Sequence, residues 1–266
     1  VQNNKVSDTI ETKDGMKFVK SHLFEQTLLS LIDRWLDDDK ITDILASGMV
    51  GSKQGWEEAP YQQTPCNLKK LNYITPTLKD TRISLKIFSG VSQIHQPDVM
   101  RGEETQIAGF LNETPNFNGS ICLPGTHSKW VEIRNNNIIK FKTFMTGELF
   151  EIISKNSVLI HSVEAEKIDK IELLNSVDKI FQNPELFSNA LFQLRADDLI
   201  NSKGPTIYKS RLSGYLLAIE LLGSVEFWKN NDIVLIGNPD LTEMYQFVLN
   251  KKVKSIKKFL SSDMVL

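Results

Sequence analysis

The sequence is poor in cysteine: only Cys66 and Cys122 occur in 266 residues, far apart and in no CxxC arrangement. That excludes a disulfide framework and offers no thiol pair for structural zinc, and it fits a reducing compartment. Histidine is equally sparse, four in all, and His22, His95 and His161 lack the spacing of a metal site, so no structural metal is expected. An excess of one charge is missing too, since 31 basic residues face 33 acidic ones for a formal net charge of −2. Such a chain has no global field to gather nucleic acid or an anionic membrane, so any anion must be held by a local site. No apolar run approaches the roughly 20 residues that span a bilayer, and the polar opening from Val1 to Thr12 is no signal-peptide core. A cytoplasmic protein without a membrane anchor is expected. Neither GxGxxG nor GxxxxGK[ST] is present, and there is no solenoid repeat or low-complexity tract.

What is present is the balance of an ordinary globular protein, 41% hydrophobic and 24% charged, in a chain long enough for two domains. Phe24, Leu28, Leu31, Ile32, Trp35 and Leu36 recur at helical spacing. Residues 41–45 read as a strand that feeds a glycine-bearing loop over 47–56. Ile83, Leu85 and Ile87 alternate with Arg82, Ser84 and Lys86 as a half-buried strand does, and a helix is predicted over 99–111 with Asp98 at its N-terminus. This order predicts an α/β lobe over 1–119 whose loops collect at one edge of a sheet. From Ser120 the texture changes to three short β-prone runs, 121–123, 130–133 and 138–144, joined by a Pro-Gly turn and an asparagine turn. An antiparallel meander is the economical reading. Helices over 149–160, 168–175, 178–194 and 212–228, a strand over 233–236 and a helix after Pro239 are predicted to complete a second lobe, 120–266.

Several stretches have the residue types that phosphate and sugar chemistry needs. The turn Gly125-Thr126-His127-Ser128-Lys129 combines a glycine that lets backbone N–H groups approach an anion, two hydroxyls and a cation. It equally suits a polar hairpin turn, and the residues alone leave the two open. Asp98 at a helix head serves as an N-cap or as a carboxylate that accepts a substrate proton. Arg101 offers a planar fork to a substrate carboxylate or pairs with Glu104 or Asp98 on the surface. The loop after Gly48 gathers Lys53, Gln54, Trp56 and Glu58 in the mixture of polar groups and aromatic wall found in small-ligand sites. Thr146-Gly147 opens a predicted helix as a Thr cap whose first turn could receive an anion. Gly214 and Gly237 fall at a predicted helix start and a strand-to-helix turn, where a nucleoside can approach the backbone.

Four of these stretches together resemble the 2-dehydro-3-deoxygalactonokinase family of the sugar kinase, heat-shock ATPase and actin superfamily. They are Gly48-Met49-Val50-Gly51-Ser52-Lys53-Gln54-Gly55-Trp56-Glu57-Glu58-Ala59-Pro60-Tyr61, Asp98-Val99-Met100-Arg101-Gly102-Glu103-Glu104-Thr105-Gln106, the segment 123–130, and Met145-Thr146-Gly147-Glu148-Leu149-Phe150. The resemblance implies a two-lobe ribonuclease-H-like, actin-like ATPase fold that closes on ATP and Mg²⁺. It implies Asp98 as catalytic base, with Lys53, Gln54, Trp56, Glu58, Arg101 and Glu104 at the sugar acid. Gly125, Thr126, His127, Ser128, Lys129, Thr146 and Gly147 would then face the phosphates, and Gly237 the nucleoside. The implied reaction moves the ATP γ-phosphate to the terminal hydroxyl of 2-dehydro-3-deoxy-D-galactonate, with no nucleic-acid or membrane partner and with a homodimer left open. Another sugar-acid or amino-sugar kinase and a non-catalytic ligand sensor are the alternatives. The family opens on a strand carrying an Asp-Trp-Gly-Thr-Thr-like first phosphate loop, which nothing in 1–18 matches, and it usually runs somewhat beyond Leu266. With Val1 in place of an initiator Met, a missing N-terminal strand and weak activity of this chain alone are expected.

Overall fold

In the computed structural model, which describes residues 6–13, 15, 18–250 and 252–264, the apolar stripe at Phe24 folds as helix α1 (Phe24–Ile32) and closes in a 3₁₀ turn, Asp33–Trp35. Part of the stretch 1–18, where the first phosphate loop was sought, lies outside the described residues. Strand β1 (Thr42–Ala46) follows, then short strands β2 (Gln62–Gln63), β3 (Cys66–Asn67) and β4 (Tyr73–Ile74), and then β5 (Ile83–Phe88). β1 lies parallel to β5, and β4 antiparallel to it on the other side. The period-two pattern is realised, with Ile83, Leu85 and Ile87 buried and Ser84 and Lys86 half-buried. Leu85 and Ile87 join Ala59 in a core that Ile44, Val50 and Trp56 complete.

The chain departs from expectation at Asp98. β6 (Val91–Gln93) and β7 (Asp98–Met100) form an antiparallel hairpin that sets Gln93 opposite Asp98, and helix α2 (Glu103–Glu113) starts only after it. Asp98 therefore opens a strand and heads no helix. The reason is local. Val99 and Met100 pair with Ser92 and Val91, and Gly102 then takes φ +111°, a conformation only glycine adopts freely, to turn the chain into α2. Two compact units meet in sequence at Thr105, within α2.

The second unit contains the meander as read: β8 (Gly119–Leu123), β9 (Ser128–Arg134) and β10 (Asn137–Phe144), each antiparallel to the next. Helices α3 (Thr146–Asn156), α4 (Lys170–Gln182), α5 (Phe187–Asn201), α6 (Pro205–Gly223) and α7 (Val225–Trp228) come next. β11 (Asp232–Gly237), α8 (Pro239–Leu249) and β12 (Ser255–Leu260) complete it. β11 pairs in parallel with β8 and β12 in parallel with β11, so the order within this unit is β10-β9-β8-β11-β12. α4 runs unbroken where the sequence suggested a break at 175–178. Asp169 caps it by accepting the Glu172 N–H at 2.8 Å, and the stop comes at Asn183-Pro184, where proline cannot continue a helix. α6 begins at Pro205, so Gly214 sits mid-helix and not at a helix start. A Cβ there would stand 2.6 Å from the Leu173 carbonyl oxygen, so this glycine permits α4 and α6 to cross closely. Trp130, Tyr208, Leu212 and Phe227 anchor the core beneath these helices.

Candidate active site

The β8–β9 connection places Gly125, Thr126 and His127 on an open face, with Gly125 half-buried and the other two exposed. Ser128 and Lys129 begin β9 and are buried, at 0% and 4% exposure, so they support the turn from below. The first turn of α3 lies directly against it. A Cβ on Gly147 would stand 2.5 Å from the Gly125 oxygen and 2.8 Å from the Thr126 Cα, which no side chain tolerates. The Glu148 N–H donates to the Thr126 oxygen at 3.0 Å, and the His127 Nε2 meets the Glu148 carboxylate. Turn and helix head thus lie against one another, which brings the positive end of the α3 dipole beside an open glycine turn, a setting that favours an anion. Thr146 does not cap this helix as the sequence suggested. Met145 occupies the cap position, Thr146 is the first helical residue, and its hydroxyl donates to Glu220. Gly237 ends β11 behind the turn, where its Cβ would stand 3.4 Å from the Pro124 oxygen.

Glu220 is the residue that sequence reasoning passed over. It lies on α6 at 1% exposure and accepts hydrogen bonds from Trp130 Nε1 at 2.8 Å and the Tyr245 hydroxyl at 2.7 Å, besides Thr146. Tyr245 in turn lies 3.0 Å from the Ser128 hydroxyl. Burial pushes the Glu220 carboxyl above its ordinary range, against the lowering effect of these donors, and raises the Tyr245 hydroxyl well above its own. A signal existed: one acidic residue stands in the apolar run Leu216-Leu217-Ala218-Ile219-Glu220-Leu221-Leu222. Beside the turn opens a cavity of about 210 Å³, bounded by Gly125, Thr146 and Gly147 and walled by Phe150, Ile168, Leu216, Leu217, Leu241 and Met244. Lys209 and Ser213 stand in the same wall.

In the first unit the sequence candidates separate into two groups. Lys53, Gln54 and Glu58 are exposed on the loop after Gly51, whereas Trp56 stacks on Phe24 with ring centroids 6.0 Å apart and belongs to the local core. Arg101 reaches back to that loop. Its Nη2 donates to the Ala59 oxygen at 2.8 Å, its guanidinium lies 4.3 Å from the Tyr61 ring centroid, and a Cβ on Gly51 would come within 3.0 Å of Nη1. Nε and Nη1 of Arg101 and the Ser52 hydroxyl are buried without a hydrogen-bond partner. Buried donors left unmatched are costly, and because Nε–H and Nη1 point to opposite sides of the guanidinium they are two separate unmatched donors rather than one fork. Glu104 is fully buried, accepts the Gly102 N–H with both oxygens at 2.8 and 2.7 Å, and is pushed by burial to about 7. Asp98 is half-buried and accepts the Val99 N–H at 2.8 Å. Burial raises the Cys66 thiol to about 11, with a smaller push from Glu104.

Among the described residues no group of three His, Cys, Asp or Glu side chains could hold a metal ion, and no helix is long and apolar enough to cross a membrane. The family model described as 2-keto-3-deoxy-galactonokinase matches residues 1–265. A Rhizobium meliloti (strain 1021) protein assigned as a 2-dehydro-3-deoxygalactonokinase is 34% identical over 220 residues, 80% of this chain and 72% of that protein. The 2-dehydro-3-deoxygalactonokinase of Escherichia coli (strain K12) is 28% identical over 208 residues, 77% of this chain and 69% of its own. A crystal structure of a Sinorhizobium meliloti protein assigned to the same activity superposes with a TM-score of 0.81 at 30% identity, covering 92% of this chain and 82% of that one.

Proposed function

The chain belongs to the 2-keto-3-deoxy-galactonokinase family, and from that premise we propose that it transfers the γ-phosphate of ATP to the terminal hydroxyl of 2-dehydro-3-deoxy-D-galactonate in D-galactonate degradation. It is an ATP-dependent phosphotransferase acting on a small keto-deoxy acid. One observation supports the reading most: Gly147 presses the head of α3 against the Gly125–His127 turn beside an apolar cavity. The turn receives the phosphates through Gly125, Thr126, His127, Thr146 and Gly147, with Ser128 and Lys129 beneath them supplying shape and charge. The adenosine enters the cavity, and Gly237 backs the turn through Pro124 rather than touching the base. The order β10-β9-β8-β11-β12, three antiparallel strands extended by two parallel ones, supports a ribonuclease-H-like second lobe and with it the two-lobe actin-like ATPase architecture over 1–119 and 120–266.

The sugar acid is held in the first unit. Arg101 takes its carboxylate through one of its unmatched donors, Lys53, Gln54 and Glu58 reach its hydroxyls from the exposed loop, and Trp56 stiffens that loop from below. Glu104 acts from beneath through Gly102, and so fixes where Arg101 points. Asp98 accepts the proton of the attacking hydroxyl. A divalent cation such as Mg²⁺, arriving with ATP, would supply charge neutralisation at its phosphates. Most of the rate enhancement then comes from positioning and charge stabilisation. A cytoplasmic location is part of the proposal, and the substrate is a free small molecule rather than nucleic acid or lipid. The test is ADP release with Mg-ATP and a panel of 2-keto-3-deoxy sugar acids alongside plain sugars. Fast release with the galactonate-derived acid alone supports the reading; release with another sugar acid or amino sugar reassigns the substrate, and none with any member leaves a ligand sensor.

A further inference from the structure

Glu220 takes no part in the reaction as written, yet it lies under both elements that face the proposed phosphates. One of its oxygens accepts from Trp130 on β9, and the other from Tyr245 on α8 and Thr146 at the head of α3. A carboxylate only accepts, so the single Tyr245 hydroxyl hydrogen is committed to Glu220. The 3.0 Å contact between Tyr245 and Ser128 must then carry the Ser128 hydrogen, which leaves the Ser128 oxygen to receive the Gly125 N–H at 3.4 Å. One buried carboxylate therefore orients the hydroxyls of Tyr245, Ser128 and Thr146, and ties the turn to the first residue of α3. Stability alone does not explain it, because a buried carboxylate gains little over an apolar side chain of the same shape.

We propose that Glu220 is the positioning residue of the phosphate turn, holding the Gly125–His127 face and the head of α3 as one preformed cradle for nucleoside phosphates. The inference rests on the reading of that turn as the ATP phosphate site. The contact at Gly147 leaves no slack: turn and helix head already touch at van der Waals limits, so loosening either one moves N–H groups off the anion.

The test measures melting temperature, kcat, KM for ATP and KM for the sugar acid in four variants. Glu220→Gln keeps the shape but puts an NH₂ group where donors already point, so the chain of hydrogen bonds reverses or breaks. KM for ATP is expected to rise about tenfold while KM for the sugar acid stays within about twofold. Tyr245→Phe and Thr146→Val each delete one hydroxyl and keep the packing, which guards against a Glu220 variant that fails to fold. Each is expected to raise KM for ATP about threefold, and less in the Glu220→Gln background, because both act through the same carboxylate. If folded Glu220→Gln, Tyr245→Phe and Thr146→Val lose melting temperature but keep the wild-type KM for ATP, Glu220 is structural and the inference is overturned. Gly147→Ala separates the inference from the reading beneath it, since its methyl enters the turn itself. A raised KM for ATP there with an unchanged one in Glu220→Gln removes the positioning role alone; unchanged values in both remove the phosphate site as well.

Discussion

Replacing Arg101 with methionine removes a guanidinium whose Nε and Nη1 are buried without partners, and this sets an unusual expectation: large loss of activity with almost no loss of stability. Each buried unmatched donor destabilises the folded state by roughly 1–3 kcal/mol, which the methionine relieves. Against that stand the Nη2 bond to the Ala59 oxygen and the contact with the Tyr61 ring, together about 2–4 kcal/mol. On these figures the net loss is at most about 2 kcal/mol, so the melting temperature should fall by no more than about 8 °C and is free to rise. The substrate side has no such cancellation. One charge-assisted hydrogen bond to a carboxylate contributes roughly 1.5–3 kcal/mol, or about 10- to 150-fold in kcat/KM. The assay is coupled ADP release at varied sugar acid, with KM for ATP as internal control and an analogue lacking the carboxylate as second substrate. Wild type should discriminate strongly against the analogue and Arg101→Met should not. A fall in kcat/KM of less than about threefold, or a loss of activity matched by a loss of folded protein, would refute the carboxylate subsite.

Glu104 gives a pH signature. Its carboxyl is raised from 4.5 to about 7 by burial, so the folded chain binds this proton more tightly than the unfolded one. That contribution is fully present below 4.5 and is lost as pH rises through about 7, in all roughly 3 kcal/mol. The difference in unfolding free energy between wild type and Glu104→Gln, from urea titrations, should therefore shift against wild type across that window; a flat difference would show that the carboxyl is not perturbed. Gly214→Ala should destabilise by about 1–3 kcal/mol, since its methyl meets the Leu173 oxygen and the Ser176 Cβ at 2.6 Å, while both KM values of the folded enzyme stay put. An unchanged urea midpoint would mean that α4 and α6 separate at no cost.

Much of the fold was legible wherever one local signal decided the outcome. Period-two alternation found β5, β-branched and aromatic runs found the meander, and proline placed α8. Signals failed where two local rules competed. Asp98 satisfies the rule for a helix head, but Val99 and Met100 prefer the pairing that Val91 and Ser92 offer, and only Gly102 lets the helix begin. β12 was missed because Lys257 and Lys258 hide a strand that pairs along one side of β11. Exposed lysines suit such an edge strand, but they erase its alternation.

The proposed site draws on residues that stand out in the sequence by type but not by the contacts they make. The glycine turn, Arg101 and the loop after Gly51 announce themselves because they are polar groups in turn-rich segments, where ligands are met. Ser128, Thr146 and Glu104 announced themselves for the same reason, yet each turns inward: Ser128 toward Tyr245, Thr146 toward Glu220, Glu104 toward Gly102. Two fully buried carboxylates, Glu104 and Glu220, thus hold neighbouring groups of the proposed site, Gly102 and Thr146, and are themselves shielded from solvent. A buried charge is tolerated only where donors converge on it, and converging donors are what fixes a turn or a helix head in one geometry. Pairings over long separations such as Thr146 with Glu220 leave no mark in sequence spacing, so the supporting layer of such a site emerges only once the chain is folded.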